Sequence, residues 1–269
     1  MISMNYMYLN RFFSRKKIID SILDENLDIN LFKEELKKNY YVLEKEYRNE
    51  FFYKNTLFNK YVIGKYSLNT TAAFSEVIIG KSKADFLIIN HNQGKIYEIK
   101  TDLDNLDRLI NQLEDYYKVC SEVYVVTSEK NYYPVFKLIK ELMPSVGIIV
   151  LTENVNLSIR KKAAKDDSAL KHENLFKLLR KKEYEEIIFS NFGTLPDVKP
   201  VQQFKVLLSS FKQLNVKEAQ KLVFKQLRKR MELENIQIIL DLPMPFRWIV
   251  YSGHFTDKEL YEIYIKLND

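Results

Sequence analysis

Cysteine occurs once in the 269 residues, at Cys120, so the chain can form no internal disulfide and no cysteine-rich zinc site. Its place beside Val119 on a predicted helix points to simple packing. Histidine is almost as scarce. His91 falls in a predicted turn, and His172 and His254 have no partner at ligand spacing, which removes a histidine metal site or a histidine-based triad. Long apolar runs are missing too. Stretches such as Phe86 to Ile89 and Val146 to Leu151 fall far short of the roughly 18 to 20 residues that cross a bilayer, so no transmembrane segment and no membrane partner are expected. The opening residues, up to Lys17, place polar groups inside their apolar stretch and offer no small-residue cleavage site. They predict no secretory signal, and hence a cytoplasmic protein.

What is present is an ordinary globular composition, with 46% apolar residues, enough for a full core. The net charge of +6 is unevenly placed: residues 1–154 carry 21 basic against 21 acidic side chains, and residues 155–269 carry 21 against 15. The whole excess is C-terminal. Clusters such as Arg160-Lys161-Lys162, Arg180-Lys181-Lys182 and Arg228-Lys229-Arg230 are candidates to neutralise phosphates, although a run of charge on a helix is commonly a solvated face.

Apolar residues recur at three- and four-residue spacing from Ser14 to about Asn26 and from Ile29 to about Lys38, which predicts two short helices. A longer helix is expected over Val42 to Val62, with Leu43, Tyr47, Phe51, Leu57 and Tyr61 as packing positions. Three strands follow, near Phe74 to Ile79, Ala84 to Ile89 and Lys95 to Ile99, separated by turn-forming segments. Asp104 is positioned to cap a helix running to about Val119. Then come a strand at Val123 to Thr127, a helix at Val135 to Leu142 and a strand at Gly147 to Leu151. This order predicts an α/β fold around one mixed sheet. Beyond Glu153 the patterns are helical, around Leu170 to Phe189, Val201 to Leu214 and Val216 to Glu234, with one candidate strand at Ile236 to Leu240. The expected division is an N-terminal helical segment at 1–40, a core at 41–153 and a helical C-terminal domain at 154–269.

The residues that carry chemistry lie in the second and third strands. Asp85 opens one strand, and Glu98 and Lys100 stand near the end of its neighbour. Side chains alternate along a strand, so Glu98 and Lys100 project from one face. If Asp85 joins them, two carboxylates and an ammonium converge. Hard oxygen ligands of this kind suit magnesium or manganese, with the lysine orienting water or neutralising developing charge. On the following helix Arg108, Gln112 and Tyr116 recur at i, i+4 and i+8 as one polar stripe.

In order and spacing, Asp85 followed by Glu98-Ile99-Lys100 resembles the core signature of the PD-(D/E)xK nuclease superfamily. Gln112 to Tyr116 is similar to the QxxxY motif of its RecB-like branch. The run from Tyr47 to about Thr127 is also similar to a prokaryotic protein family assigned to that superfamily, through Leu68-Asn69-Thr70-Thr71, the Ala84-Asp85 strand and Glu98-Ile99-Lys100-Thr101. One departure is Ala84, where the signature has proline. The resemblance implies a restriction-endonuclease-like core and catalysis by Asp85, Glu98 and Lys100. It also implies a metal held by Glu50, Asp85 and Glu98, with Glu46 as an alternative to Glu50, and a nucleic-acid contact through Arg108, Gln112 and Tyr116.

Two functions are therefore expected in turn. The first is a magnesium- or manganese-dependent nuclease hydrolysing phosphodiester bonds, DNA being the expected substrate, with further grip from Arg228, Lys229 and Arg230. The second is a nuclease fold without activity that binds nucleic acid or protein, with the C-terminal helices as a surface for a protein partner or a second copy. Glu76 reads as a solvent-facing strand residue, and Asp102 and Asp104 as charges at a helix start.

Overall fold

The computed structural model describes residues 6–22, 24, 26–233 and 236–268. In chain order the elements are α1 (Tyr6–Phe12), α2 (Arg15–Ile22), α3 (Ile29–Lys45), α4 (Glu50–Leu57), a π-helical turn (Phe58–Ile63), β1 (Thr71–Ile79), β2 (Ser82–Asn90) and β3 (Gln93–Lys100). Next are α5 (Leu109–Tyr117), β4 (Glu122–Thr127), α6 (Glu129–Leu142), β5 (Gly147–Leu151) and β6 (Leu157–Lys161). The chain ends in α7 (His172–Lys177), α8 (Lys181–Phe192), α9 (Pro200–Phe211), α10 (Val216–Lys229), α11 (Ile236–Asp241), a 3-10 turn (Met244–Phe246), α12 (Arg247–Ser252) and α13 (Asp257–Asn268). It is a mixed α/β protein in which a six-stranded sheet is flanked by helices, with further helices at both ends of the chain. Among the described residues no helix is long and apolar enough to cross a membrane.

The chain divides into two compact units. The first comprises Met1–Asn69, Leu151–Ser158 and Leu233–Asp269; the second comprises Thr70–Val150 and Ile159–Glu232. Both units are discontinuous in sequence, unlike the linear division at 1–40, 41–153 and 154–269.

In the first unit aromatic side chains fill the centre. Phe12 stacks on Phe32 with ring centroids 5.8 Å apart, Phe32 on Phe246 at 5.8 Å, and Phe58 packs against Tyr251 at 4.6 Å. The single helix expected over Val42 to Val62 is broken. Helix α3 runs on to Lys45, and Asn49 then starts α4 by accepting the Phe52 N–H on its side chain, a cap that competes with helix continuation. Of the expected packing positions, Leu43 and Leu57 are fully buried, while Tyr47, Phe51 and Tyr61 are only half-buried. The candidate strand at Ile236 to Leu240 is helix α11. The expected end of the α2 pattern passes over residues 23 and 25, and the expected end of the α10 pattern at Glu234 also lies outside the described residues.

The sheet, of strand order β1-β2-β3-β4-β5-β6, belongs to the second unit apart from the last residue of β5 and the first two of β6. β1, β2 and β3 pair antiparallel, and β3, β4 and β5 pair parallel. The three expected hairpin strands, β4 and β5 form where the short apolar runs placed them. β6 was not expected: Leu157 and Ile159 alternate with Ser158 and Arg160, but the strand is only five residues long, mostly polar and partly or fully exposed. Both faces of the central strands are covered, so the consecutive residues Val125 and Val126, and Ile148 and Ile149, are all buried. One face carries α5, whose Leu109, Leu113 and Tyr116 are fully buried at helical spacing, in a core that extends to Phe176, Phe211 and Phe224 of α7, α9 and α10.

Candidate functional site

Antiparallel pairing places Phe86 opposite Tyr97 and Leu87 opposite Ile96, and paired residues share a face of the sheet. Continued by one step, that register sets Asp85 opposite Glu98, on the face covered by α5. The main-chain ladder stops before that step, with Phe86 and Tyr97 as the last pair. Instead of a backbone partner, the Ile99 N–H donates to Asp85 Oδ2 at 2.7 Å. The strands therefore part at the point where the two carboxylates stand.

Glu98 is 1% exposed and Lys100 8% exposed. Such burial is tolerated only because the charges are paired and hydrogen-bonded. Lys100 Nζ donates to Glu98 Oε1 at 2.8 Å and to Gln112 Oε1 at 2.9 Å. The Tyr116 hydroxyl donates to Glu98 Oε2 at 2.6 Å, with the Lys83 carbonyl oxygen at 3.0 Å as a second acceptor. Burial, then the charge and hydrogen bond of Glu98, then the charge of Asp85, push the Tyr116 phenol far above its ordinary range. The strand end is anchored from β4 as well, where the Thr127 hydroxyl donates to the Lys100 carbonyl at 2.7 Å.

The structure thus brings together Asp85, Glu98, Lys100, Gln112 and Tyr116. Arg108 is the exposed N-cap residue of α5, its carbonyl accepting from the Gln112 N–H at 3.0 Å. Asp104 does not cap that helix. Its carboxylate accepts from the Thr101 N–H at 2.8 Å and the Thr101 hydroxyl at 2.7 Å, folding the segment after β3 into a turn that delays the helix. Asp102 bonds to Ser128 at the start of α6. Glu50 belongs to the first unit, on the first turn of α4, where it forms an ion pair with Lys54. Glu46 is the exposed C-cap residue of α3.

Glu76 is a solvent-facing residue of β1, with an unusual backbone. It is exposed, as expected, but its φ is 58°, the left-handed region, in the middle of β1. Its position in the register faces Asp85, with Ser75 opposite Phe86 and Val77 opposite Ala84. One carboxylate oxygen of Glu76 lies within 4.8 Å of one of Asp85, and Glu76 also pairs with Lys83. Nothing in the local sequence signals this conformation, which costs a non-glycine residue about 1–2 kcal/mol.

The three basic residues assigned to phosphate binding are matched by carboxylates within the same unit. Arg230 Nε donates to Glu183 Oε1 at 2.6 Å, Lys229 pairs with Glu186 at 2.6 Å, and Arg228 lies 3.9 Å from Glu232. Arg230 and Glu183 are largely buried, with side chains 19% and 14% exposed. Cys120 is buried as expected, its sulfur 2.9 Å from the Gly94 carbonyl, and burial pushes its thiol up to about 12.

Residues 43–241, well over half of the chain, match the family described as Bacteriophage P4 protein cII. The chain belongs to that family. The match runs through the carboxylate pair, Lys100 and α5, and on to the end of α11. No curated protein and no solved structure matches the chain. The family description states no activity, so the chemistry has to be argued from the site.

Proposed function

We propose that this member of the bacteriophage P4 protein cII family is a metal-dependent nuclease that hydrolyses phosphodiester bonds, with DNA as its substrate. The observation that carries the proposal is the junction of β2 and β3, where Asp85, Glu98 and Lys100 stand together as the strands part. The donor set is oxygen only: one half-buried carboxylate and one fully buried one. That set fits magnesium or manganese, which bind through few carboxylates and retain water. Asp85 and Glu98 would hold the ion, and when bound it supplies Lewis-acid stabilisation of charge on phosphorus.

The chain's own groups do the rest. Lys100 stands within hydrogen-bond reach of Glu98 and presents a compact cation to the developing negative charge. Gln112 and Tyr116 fix the two partners of that pair from α5, one on the ammonium and one on the carboxylate. Glu50 is not used in the proposal, which rests on the second unit alone.

A second reading has an observation in its favour. Both oxygens of Glu98 are already engaged, by Lys100 and by Tyr116, in a buried network that is satisfied without any ion. A nuclease fold that binds nucleic acid or protein without cutting would have such a site. One experiment separates the two readings. Labelled single- and double-stranded DNA and RNA are incubated with the protein and magnesium, manganese or chelator, alongside Asp85→Ala and Glu98→Ala. The proposal expects metal-dependent cleavage of DNA that falls roughly 100-fold or more in each variant, with circular dichroism unchanged. Undiminished cutting by either variant, or no cutting under any condition, overturns it. Cutting confined to RNA replaces the substrate but keeps the chemistry.

A further inference from the structure

Resting on the nuclease reading, we infer that Asp115 is the positioning residue of the site: it ties the β1–β2 turn to α5 and so fixes Asp85 relative to Glu98 and Lys100. Asp115 is 7% exposed, on the helix that also carries Gln112 and Tyr116. Its Oδ2 accepts from the Lys81 N–H at 3.0 Å and from the Ser82 hydroxyl at 2.7 Å, and its Oδ1 pairs with Lys118. Gly80 starts this two-residue turn with φ +63°. A Cβ on Gly80 would lie 2.6 Å from Asp115 Oδ1, so the turn sits directly on the carboxylate, and any side chain there would displace one or the other.

The need for such a tie follows from the sheet. Past Phe86 and Tyr97, β2 and β3 have no main-chain pairing to set their separation. Asp85 lies just beyond that last pair, on one strand, and Glu98 and Lys100 lie just beyond it on the other. Helix α5 bridges the gap with side chains on successive turns. Asp115 holds the first residues of β2, and the Tyr116 hydroxyl has the Lys83 carbonyl within reach on the same strand. Tyr116 and Gln112 hold the last residues of β3. The distance between the carboxylates is thus set by one helix gripping both strands. Asp115 touches none of the reacting groups, and it acts through the turn. Its carboxyl is held below the ordinary range: burial works against this, and the hydrogen bonds from Lys118, Ser82 and the Lys81 amide outweigh it.

The test reads geometry and metal separately. Hydrogen exchange at the Ile99 amide reports whether Asp85 still accepts its bond, with the amides of Val125 and Ile149 in the sheet as internal references. Manganese titration reports the carboxylate pair. Asp115→Ala is expected to speed exchange at Ile99 and to weaken manganese binding, each roughly tenfold, with the reference amides unmoved. Asp115→Asn, which can still accept both turn hydrogen bonds, should restore most of each. If Asp115→Ala does not fold, Gly80→Ala, which presses on the same carboxylate without removing its charge, is read the same way. Unchanged exchange at Ile99 in a folded variant overturns the inference, and so does a rise shared equally by the reference amides. If the unaltered protein neither binds manganese nor cuts DNA, the nuclease reading fails, while exchange at Ile99 still decides whether Asp115 sets the geometry.

Discussion

Replacing Tyr116 by phenylalanine removes one oxygen from the most buried part of the site and leaves the ring in place. Tyr116 is fully buried and Glu98 is 1% exposed, so water does not take over the lost donor. The bond removed runs 2.6 Å to a carboxylate oxygen, and hydrogen bonds to charged groups contribute roughly 1.5–3 kcal/mol. A loss of about 2 kcal/mol is expected, which for a protein of this size is a fall in Tm of roughly 4–8 °C. In a Glu98→Gln background the same change removes a bond between neutral groups and should cost only about 1 kcal/mol. Urea unfolding of the four proteins measures both values. The phenol also gives the stability a pH signature. Its folded pKa lies above the unfolded value, so its contribution is complete below about pH 10 and is lost as the pH rises past that point, where the unfolded chain ionises first. Tyr116→Phe should flatten that alkaline loss. A destabilisation below about 0.5 kcal/mol, or an equal one in both backgrounds, would refute the argument that Tyr116 stabilises the Glu98 charge.

Lys100→Ala is expected to keep metal binding and lose turnover by roughly 100-fold or more, read from manganese titration beside cleavage rates; collapsed affinity with normal turnover per bound metal contradicts the role. Neutralising Arg228, Lys229 and Arg230 together should cost stability, about 3 kcal/mol of it from the buried Arg230–Glu183 pair. If instead stability holds and the salt slope of nucleic-acid binding falls by roughly 0.7–0.9 per residue, these side chains meet phosphates after all. Val155 sits in the left-handed region at φ 57°, which is costly for a β-branched side chain, so Val155→Gly should raise the unfolding free energy by about 0.5–1 kcal/mol. Thermal and urea unfolding check this, and a decrease counts against backbone strain there.

The sequence by itself determined the sheet core and the face on which its chemistry lies. Side chains alternate along any strand, a short-range geometric property, so Glu98 and Lys100 of β3 could be assigned to one face before any contact was known. The same reasoning failed where the local pattern was ambiguous. Ile236, Ile238, Ile239 and Leu240 form a short β-rich apolar run, yet the segment is a helix against α12 and α13, because packing overrides a short apolar pattern. β6 shows the alternation only in Leu157 and Ile159, too short a signal to stand out, and its place in the sheet makes it strand. Tertiary structure alone decided which charges meet. Arg230 and Glu183 are 47 residues apart, and in sequence each reads as part of a solvated helix face. Asp115 likewise looked like one more acidic residue on α5, until the fold brought the Gly80–Lys81 turn onto its carboxylate. Periodicity encodes the direction in which a side chain points, whereas its partner depends on how distant segments pack, and that has no local signature.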